Sequence, residues 1–400
     1  MANTTLTQVS AALKEVYEPR IQAQYQNEMI FGKRIEKTSD GISDAIGGKY
    51  LDFPIEIARN PGISYRAESE ALGNPGATPY AAVHVPVFAG YGRVRVTGHT
   101  MELAKTNAQA FADMAKRDMN NLKDAAVKDS SRIMYGDGTG LLATCTNGAT
   151  GTNTIEVGDG YWVTVGMEID ILNTSTYVAL ATGRTVTLVV KGASSTVVTF
   201  DGATVTTTTS HGIYRAGNAT SGTQREPTGI GKISANSGTL HTVDPSSYPV
   251  WKGVQTAMGG ALTEAAMGTL CDDIRINGGN VSAIFTSLGV RRAYFNLLKS
   301  GRQFHNTVEF AGGYKALAFN NGDDIPVVAD PDAPKSTMFF TTEKNLSIRQ
   351  TGEWKFVDVD GDIFKWVPGY DMFDVVMRKY WEMMTYQRNS QGKLTSITEG

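Results

Sequence analysis

Apolar and polar residues alternate along two stretches near the start of the chain, which predicts extended strands. The first stretch places four apolar residues on one side: Leu51, Phe53, Ile55 and Ile57. The second stretch alternates through Val83, Val85 and Val87 and resumes at Val94 and Val96. Five of the 13 prolines fall between Pro54 and Pro86, and proline belongs at the edges of sheets. We therefore predict an extended two-stranded arm over residues 47–99 with an irregular tip, lying on its own domain or on another subunit.

Helical spacing precedes and follows this arm. Apolar residues of the first 35 positions recur at three- and four-residue steps, and Pro19 interrupts them. We expect this N-terminal arm, residues 1–46, to pack on a neighbouring subunit or to cover its own core. From Thr100, a possible N-cap, an amphipathic pattern runs to Tyr135 and predicts a long spine helix. About 34 residues would make a rod of roughly 50 Å.

The rest of the chain divides by composition into a β-rich part and a mixed part. Short Thr- and Val-rich runs between turn residues predict an inserted antiparallel β-domain, a small sandwich or barrel, at 151–226. Residues 227–350 predict a mixed α/β domain, with helices over 250–274 and 287–300 and a buried strand at 281–287. Residues 374–389 alternate, and we expect them to return to the region of the spine helix.

Composition and charge are those of a soluble globular protein without a general attraction to nucleic acid. The chain is 41% hydrophobic and 19% charged, with a net charge of −3. No apolar run is long enough to span a membrane, and the N-terminus lacks the pattern of a secretory signal. Two cysteines do not make a disulfide framework, so a reducing cytoplasm is the simplest compartment.

Motifs that carry chemistry are missing or weak, so we expect no enzyme, no cofactor and no metal site. Five dispersed histidines show no zinc-ligand spacing, and no nucleophile elbow occurs. The glycines at 136–140 follow a helix rather than a strand, unlike those of a phosphate loop. The acidic run from Asp358 to Asp362 is the best cation candidate, and an acidic turn explains it equally well.

Candidate functional residues are therefore those that would contact another subunit. The tip of the predicted arm combines charges of both signs, which set register when protein surfaces dock. The candidate inter-subunit residues are Arg59, Tyr65, Arg66, Glu68 and Glu70 at the tip, Arg93 and Arg95 on the second alternating run, and Tyr17 and Tyr25 in the N-terminal segment.

Three motifs, taken in order, resemble one known family. They are YGDGTG at 135–140, IFTSLGVRRAYFNLLKSG at 284–301 and IPVVADPDAPKSTMFF at 325–340. In this order, after an extended β-arm and a long helix, they resemble the major capsid proteins of tailed bacteriophages. That shell fold is shared with herpesviruses and encapsulins.

The resemblance implies an α+β capsid fold and a structural role. Residues 47–99 would be the extended loop over a neighbouring subunit. Residues 100–150 with 351–400 would form the peripheral domain, residues 227–350 the axial domain, and residues 151–226 an inserted domain. The chain would assemble into pentamers and hexamers in the host cytoplasm and become part of the virion. Its partners would be its own copies, a portal, decoration proteins and packaged double-stranded DNA bound without sequence specificity.

Two features depart from the crosslinking members of that family. No lysine lies between Lys49 and Lys105, so we expect no covalent crosslink through the arm. Fewer than 50 residues precede the predicted arm, so we expect a separate scaffolding protein or none, and no large maturation cleavage. The alternatives are an encapsulin-like compartment shell, a β-rich phage tail or decoration protein and, third, an enzyme with an unrecognised carboxylate pair.

Overall fold

The computed structural model describes residues 29–39, 50–98, 108–192, 195–220, 223–300, 307–309, 315–322, 324–358 and 363–400. Several predictions lie outside these residues: the helices of the first 28 positions with Tyr17 and Tyr25, the proposed cap at Thr100, and most of the acidic run after Asp358.

The described residues form a fold with many strands and few helices. The helices are α1 (Ala108–Tyr135), α2 (Ile230–Ile233), α3 (Glu264–Ile276) and α4 (Leu288–Ser300), with 3-10 turns at Phe31–Lys33, Glu343–Asn345 and Arg388–Ser390. The strands of the first half are β1 (Glu36–Thr38), β2 (Tyr50–Glu56), β3 (Tyr80–Pro86), β4 (Phe88–Thr97), β5 (Leu141–Thr144), β6 (Thr154–Val157), β7 (Glu168–Asn173), β8 (Ala179–Lys191), β9 (Thr196–Phe200), β10 (His211–Arg215), β11 (Ala219–Thr220) and β12 (Thr223–Gln224).

The strands of the second half are β13 (Val254–Gly260), β14 (Ala283–Thr286), β15 (Thr307–Glu309), β16 (Lys315–Asn320), β17 (Asp324–Ala329), β18 (Met338–Thr341), β19 (Leu346–Gln350), β20 (Lys355–Phe356), β21 (Lys365–Trp366), β22 (Met372–Thr385) and β23 (Gly392–Ile397).

Three larger sheets organise these strands. The central sheet has the order β13-β23-β18-β14-β17-β16-β15, and its core includes apolar residues of α3 and α4. The peripheral sheet is built around β22, which pairs with β4 on one side and with β19, β20 and β21 on the other; β1 joins it through β19. Strands β2 and β3 form a separate hairpin, the predicted arm.

The predicted inserted domain is a six-stranded antiparallel barrel. Its strand order is β5-β10-β7-β8-β9-β6. A bridge between Cys145 and Val157 joins the two end strands and closes the barrel. Its interior is apolar, because alternate residues of β6 and β9 are buried. Strand β5 belongs to the barrel, so the barrel begins at Leu141, within the segment that the sequence assigned to the peripheral domain.

The spine helix α1 lies across the peripheral sheet. It contains 28 described residues, about 42 Å at 1.5 Å per residue. Gly92 of β4 allows the helix to pack closely on the sheet, because a Cβ added there would lie 3.3 Å from the Leu122 side chain. The last residue, Tyr135, stacks on Phe31 with ring centroids 5.0 Å apart and donates a hydrogen bond to buried Asp330 over 2.8 Å. The helix is thus fixed at its C-terminal end.

The structure corrects three sequence predictions. Residues 254–260 form β13 instead of helix, because they pair in parallel with β23; the helix begins only after Thr263, whose hydroxyl accepts from the Ala266 N–H. Strand β4 leaves the arm and pairs with β22. Strand β23 joins the central sheet, whereas the resemblance assigned residues 351–400 to the peripheral domain; strand β22 of that segment does lie in the peripheral sheet. In each case the partner strand is distant in sequence.

A buried arginine joins the two sheets. Arg388 lies in the turn between β22 and β23 and is fully buried. Its three nitrogens lie 3.0–3.3 Å from six backbone carbonyl oxygens, those of Lys232, Ile233, Ala235, Ser237, Gly238 and Trp251. Burial lowers its pKa to about 10, so the guanidinium remains charged at neutral pH. It supplies a charged donor to a loop whose carbonyls are only partly satisfied by backbone groups: the Ala235 N–H donates to Lys232 and the Gly253 N–H to Ala235.

A buried carboxyl group, that of Glu382, lies on β22 shortly before this turn. Glu382 is fully buried, and both of its oxygens accept from the Thr228 N–H, over 3.0 and 3.2 Å. Burial raises its pKa well above the ordinary value. The native state therefore holds a proton that the unfolded chain releases near its ordinary glutamate pKa, and stability decreases as pH rises above that value.

We expect the Arg388→Met variant to lose at least about 3 kcal/mol of unfolding free energy, because six carbonyls lose a charged donor. Urea unfolding of the unassembled chain measures it, with Arg59→Met, an exposed arginine, as the matched control. Equal midpoints for the two variants would show that the carbonyls find other donors.

We expect Glu382→Gln to raise the thermal midpoint at pH 8 by several degrees and to change it little at pH 5. Glutamine keeps an acceptor for the Thr228 N–H and removes the cost of holding a proton or a charge in the core. Thermal unfolding at both pH values is the measurement. A gain that is as large at pH 5 as at pH 8 would contradict a protonated native Glu382.

Candidate assembly surfaces

The arm is anchored firmly at its base. Its strands are in antiparallel register from Tyr50 opposite Pro86 to Glu56 opposite Tyr80. Val83 and Val85 are buried in the core that also holds the end of the spine helix. The N–H of His84 donates to the carbonyl of His241 over 3.2 Å. Because the base is part of the core, the direction in which the arm extends is set by the rest of the fold.

The tip of the arm, residues 57–79, has the opposite character. It has no helix or strand, and nearly all of its residues are exposed. Three large apolar side chains reach into solvent, with exposed fractions of 80% for Ile63, 96% for Tyr65 and 92% for Leu72. Three such residues within one short segment make the tip a candidate interaction site.

The tip nevertheless has a defined path. The side-chain amide of Asn60 donates to the carbonyl of Gly76 over 3.0 Å, and its oxygen accepts from the Gly62 N–H over 2.8 Å. The two glycines touch, because a Cβ added to Gly76 would lie 2.4 Å from the Gly62 nitrogen. Asn60, Gly62 and Gly76 therefore form a neck, beyond which residues 63–75 project.

The candidate contact residues divide between two surfaces. Arg59, Tyr65, Arg66, Glu68 and Glu70 lie on the tip and are exposed. Arg93 and Arg95 lie elsewhere, on β4 in the peripheral sheet, and both bind Asp374 of β22. Hydrogen bonds from Arg95 and Arg93 lower the pKa of Asp374 to about 2. Ile63 and Leu72 were not among the predicted contact residues. Large apolar residues in a segment rich in proline and glycine could have indicated them.

Ion pairs connect the spine helix to the barrel and to the segment that follows it, and the pair between Arg132 and Glu226 is buried. Arg132 of α1 donates to Glu226 over 2.7 Å and to Asp129 over 3.0 Å, and Arg215 of β10 also reaches Asp129 over 3.0 Å. Burial alone would raise the pKa of Asp129, but the two arginines bring it below its ordinary value. Arg132 and Glu226 are both buried, so removing one would leave an uncompensated charge.

Glycines 229 and 231 complete this junction. A Cβ added to Gly229 would lie 2.2 Å from the Ile133 carbonyl oxygen, and one added to Gly231 would lie 2.7 Å from that of Tyr135. The chain returning from the barrel therefore touches the end of the spine helix. Both positions require glycine because any side chain would collide with backbone oxygens of the helix.

The cysteines and His241 are buried in the protein core. No group of three or more His, Cys, Asp and Glu residues in the described part of the chain could hold a metal ion. Burial raises the pKa of Cys145 to about 11 and that of Cys271 to about 12, so both thiols are protonated at neutral pH. Burial lowers the pKa of His241 to about 3. Among described helices, none is long and apolar enough to cross a membrane.

Comparison with known proteins identifies the fold. Residues 198–367 match the model of a family described as SU10 major capsid protein. The chain is similar to a solved protein of the Cyanophage A-1(L) capsid asymmetric unit, with a TM-score of 0.61 and 14% identity over 99% of this chain and 100% of that one. It is also similar to the capsid protein of a native GTA particle, with a TM-score of 0.51 and 8% identity over 99% and 100%. No curated protein matches the chain.

The predicted fold is thereby confirmed. The chain has the α+β shell fold of tailed-phage major capsid proteins, with an extended β-hairpin, a spine helix and an inserted β-domain. Among the described segments, the arm tip combines high exposure with the large apolar side chains of Ile63, Tyr65 and Leu72.

We expect the triple variant Ile63→Ser, Tyr65→Ser, Leu72→Ser to leave the unfolding free energy of the unassembled chain within about 0.5 kcal/mol, because these side chains bury almost nothing in one copy. Urea unfolding at low protein concentration is the measurement. A matched triple variant in the arm base, Ile55→Ser, Val83→Ser, Val85→Ser, should be strongly destabilised. A large loss in the tip variant would mean that the tip packs on its own chain.

Proposed function

We propose that this chain is the major capsid protein of a tailed phage, a structural subunit that assembles into the shell around the genome. The observation that carries the proposal is the combination of the shell fold over the whole chain with an ordered arm whose apolar tip is exposed in a single copy. Such a tip gains little alone and much when a second copy covers it.

The proposed assembly follows from this geometry. Copies form pentamers and hexamers in the host cytoplasm, and the arm tip of each copy lies on another, with Arg59, Tyr65, Arg66, Glu68 and Glu70 among the contacts. The tip contributes apolar area, and its charges set the register. The role is structural: the subunit performs no catalytic step and needs no cofactor.

Further partners belong to the same proposal. The shell encloses double-stranded DNA without reading its sequence, and a portal, a scaffolding protein and decoration proteins complete it. The SU10 major capsid protein match over residues 198–367 supports a viral shell. The finished protein resides in the virion.

The deciding experiment is assembly of the purified chain, with and without a co-expressed scaffolding protein, followed by sedimentation and negative-stain electron microscopy. We expect closed shells, tubes, or rings of five or six copies. The matched variant lacks residues 63–75, a deletion that joins Gly62 to Gly76, two glycines that already lie in contact. We expect it to fold, with the same thermal midpoint, and to remain unassembled.

Two results would contradict the proposal. A chain that stays monomeric under both conditions is not a shell subunit. Normal shells from the deletion variant would show that assembly does not use the arm tip.

A further inference from the structure

A lysine of the spine helix meets a buried aspartate of the central sheet. Lys128 lies in α1, and Asp332 lies in the loop that joins β17 to β18. The side chain of Asp332 has no exposed surface, and that of Lys128 is 13% exposed. The Lys128 Nζ lies 2.5 Å from the Asp332 Oδ1. One contact between an amine and a carboxyl group therefore joins two separate parts of the fold.

This contact differs from an ordinary buried ion pair. The Lys128 Nζ and both carboxylate oxygens of Asp332 are closed to solvent, and none of them makes a hydrogen bond of normal geometry with a described residue. A buried ion pair repays the loss of water only when further hydrogen bonds satisfy its remaining donors and acceptors. The ionic form of this pair is therefore costly, and a reaction that removes both charges would remove that cost.

Aromatic side chains of the barrel cover the lysine. The Lys128 Nζ lies 5.7 Å from the ring centre of Trp162 and 6.0 Å from that of Tyr161. On the other side of the pair, Asp332 stands between Pro331 and the buried Ala333. Surroundings of this kind favour the neutral forms of an amine and a carboxylic acid over their ions.

A second buried acid fixes the loop against the helix. One oxygen of Asp330 accepts from the Asp332 N–H over 2.9 Å, and the other accepts from the Tyr135 hydroxyl over 2.8 Å. Tyr135 lies seven residues after Lys128, on the same face of α1. Burial and the Asp332 charge raise the pKa of Asp330, which favours its neutral form beside the pair. The loop is thus held to the helix at two points, two turns apart.

The two side chains are close enough to react. A carbonyl carbon lies about 1.23 Å from its oxygen, so the Asp332 Cγ is at most about 3.7 Å from the Lys128 Nζ. Atoms that react in well-oriented sites start roughly 3–3.5 Å apart, and such an arrangement replaces a high concentration of the reactants. A small rotation of either side chain brings the nitrogen within that range.

We propose that Lys128 and Asp332 form an isopeptide bond within one chain, which ties the spine helix covalently to the central sheet. The bond joins two parts of the same copy, so it adds no link between copies. It does not rest on the proposed shell function, because a single folded chain contains every group that reacts.

The reaction balances without a further reactant. The Lys128 ammonium passes one proton to the Asp332 carboxylate, which leaves a free amine and a carboxylic acid. The amine attacks Cγ, so a bond forms between Nζ and Cγ. The bond from Cγ to the hydroxyl oxygen then breaks, and that oxygen takes a second proton from the nitrogen and leaves as water. The products are a neutral amide and one water molecule.

The test is the mass of the purified, unassembled full chain. The folded chain is incubated until its mass is constant and is then denatured for intact mass spectrometry. We expect a mass lower than that of the sequence by one water, about 18 Da. Trypsin should not cleave after Lys128, and the digest should contain one branched peptide that joins the segment around Lys128 to the segment around Asp332.

Two variants on the same helix assign the reacting amine. Lys128→Arg keeps the positive charge and removes the amine, and we expect it to have its full sequence mass. Lys123→Arg makes the same change at an exposed position and should still lose one water. We also expect the thermal midpoint of Lys128→Arg to be several degrees below that of Lys123→Arg, because the chain has lost a covalent tie.

Either of two results would overturn the proposal. One is an unaltered chain that keeps its full sequence mass after incubation, which needs no variant to interpret. The other is a loss of water that persists in Lys128→Arg, which would place the reaction elsewhere in the chain. Because the mass is measured on unassembled protein, neither result bears on whether the chain forms shells.

Discussion

The architecture depends on the connection that Arg388 fixes. Strand β22 organises the peripheral sheet, strand β23 lies inside the central sheet, and only the short turn from Tyr386 to Gln391 separates them. In that turn the guanidinium of Arg388 binds six carbonyls of the loop at 232–251. Without a donor of this reach, that loop would leave buried polar groups unsatisfied, and the two sheets would lose their common support.

Several other parts depend on this support. The loop at 232–251 includes His241, whose carbonyl accepts from His84 at the base of the arm. The preceding segment carries Thr228 and Gly229, which contact Glu382 of β22 and the end of the spine helix. The arm, the barrel and the spine helix therefore meet around one buried polar centre. This common centre fixes the direction of the arm, which the proposed contact with another copy requires.

The sequence allowed prediction of those features that local patterns specify. Alternation between Leu51 and Ile57 predicted the arm, the spacing of apolar residues predicted the spine helix, and Thr- and Val-rich runs predicted the barrel. Local patterns could not reveal pairing between distant strands. Strand β4 alternates like an arm strand, yet its partner lies about 280 residues later in β22, and the helical period at 250–262 was overridden by pairing with β23.

The assembly surfaces were only partly predictable for a similar reason. Mixed charge in a Pro-rich segment identified the tip, because the signal lies within one segment. Arg93 and Arg95 were predicted as contact residues of the second alternating run, and only the fold shows that both bind Asp374 of β22 within the same chain. Arg388 and Glu382 carried no signal at all: one charged residue near the end of a strand is usually exposed, and only the fold shows that it is buried.

Cryo-electron microscopy of assembled particles tests the central claim most directly, because it shows where each arm tip lies. We predict a closed shell in which Ile63, Tyr65 and Leu72 are covered by a neighbouring copy. At the arm base, Val83 and Val85 stay packed in the core of their own chain. A shell whose arm tips fold back on their own chains, or remain in solvent, would contradict it.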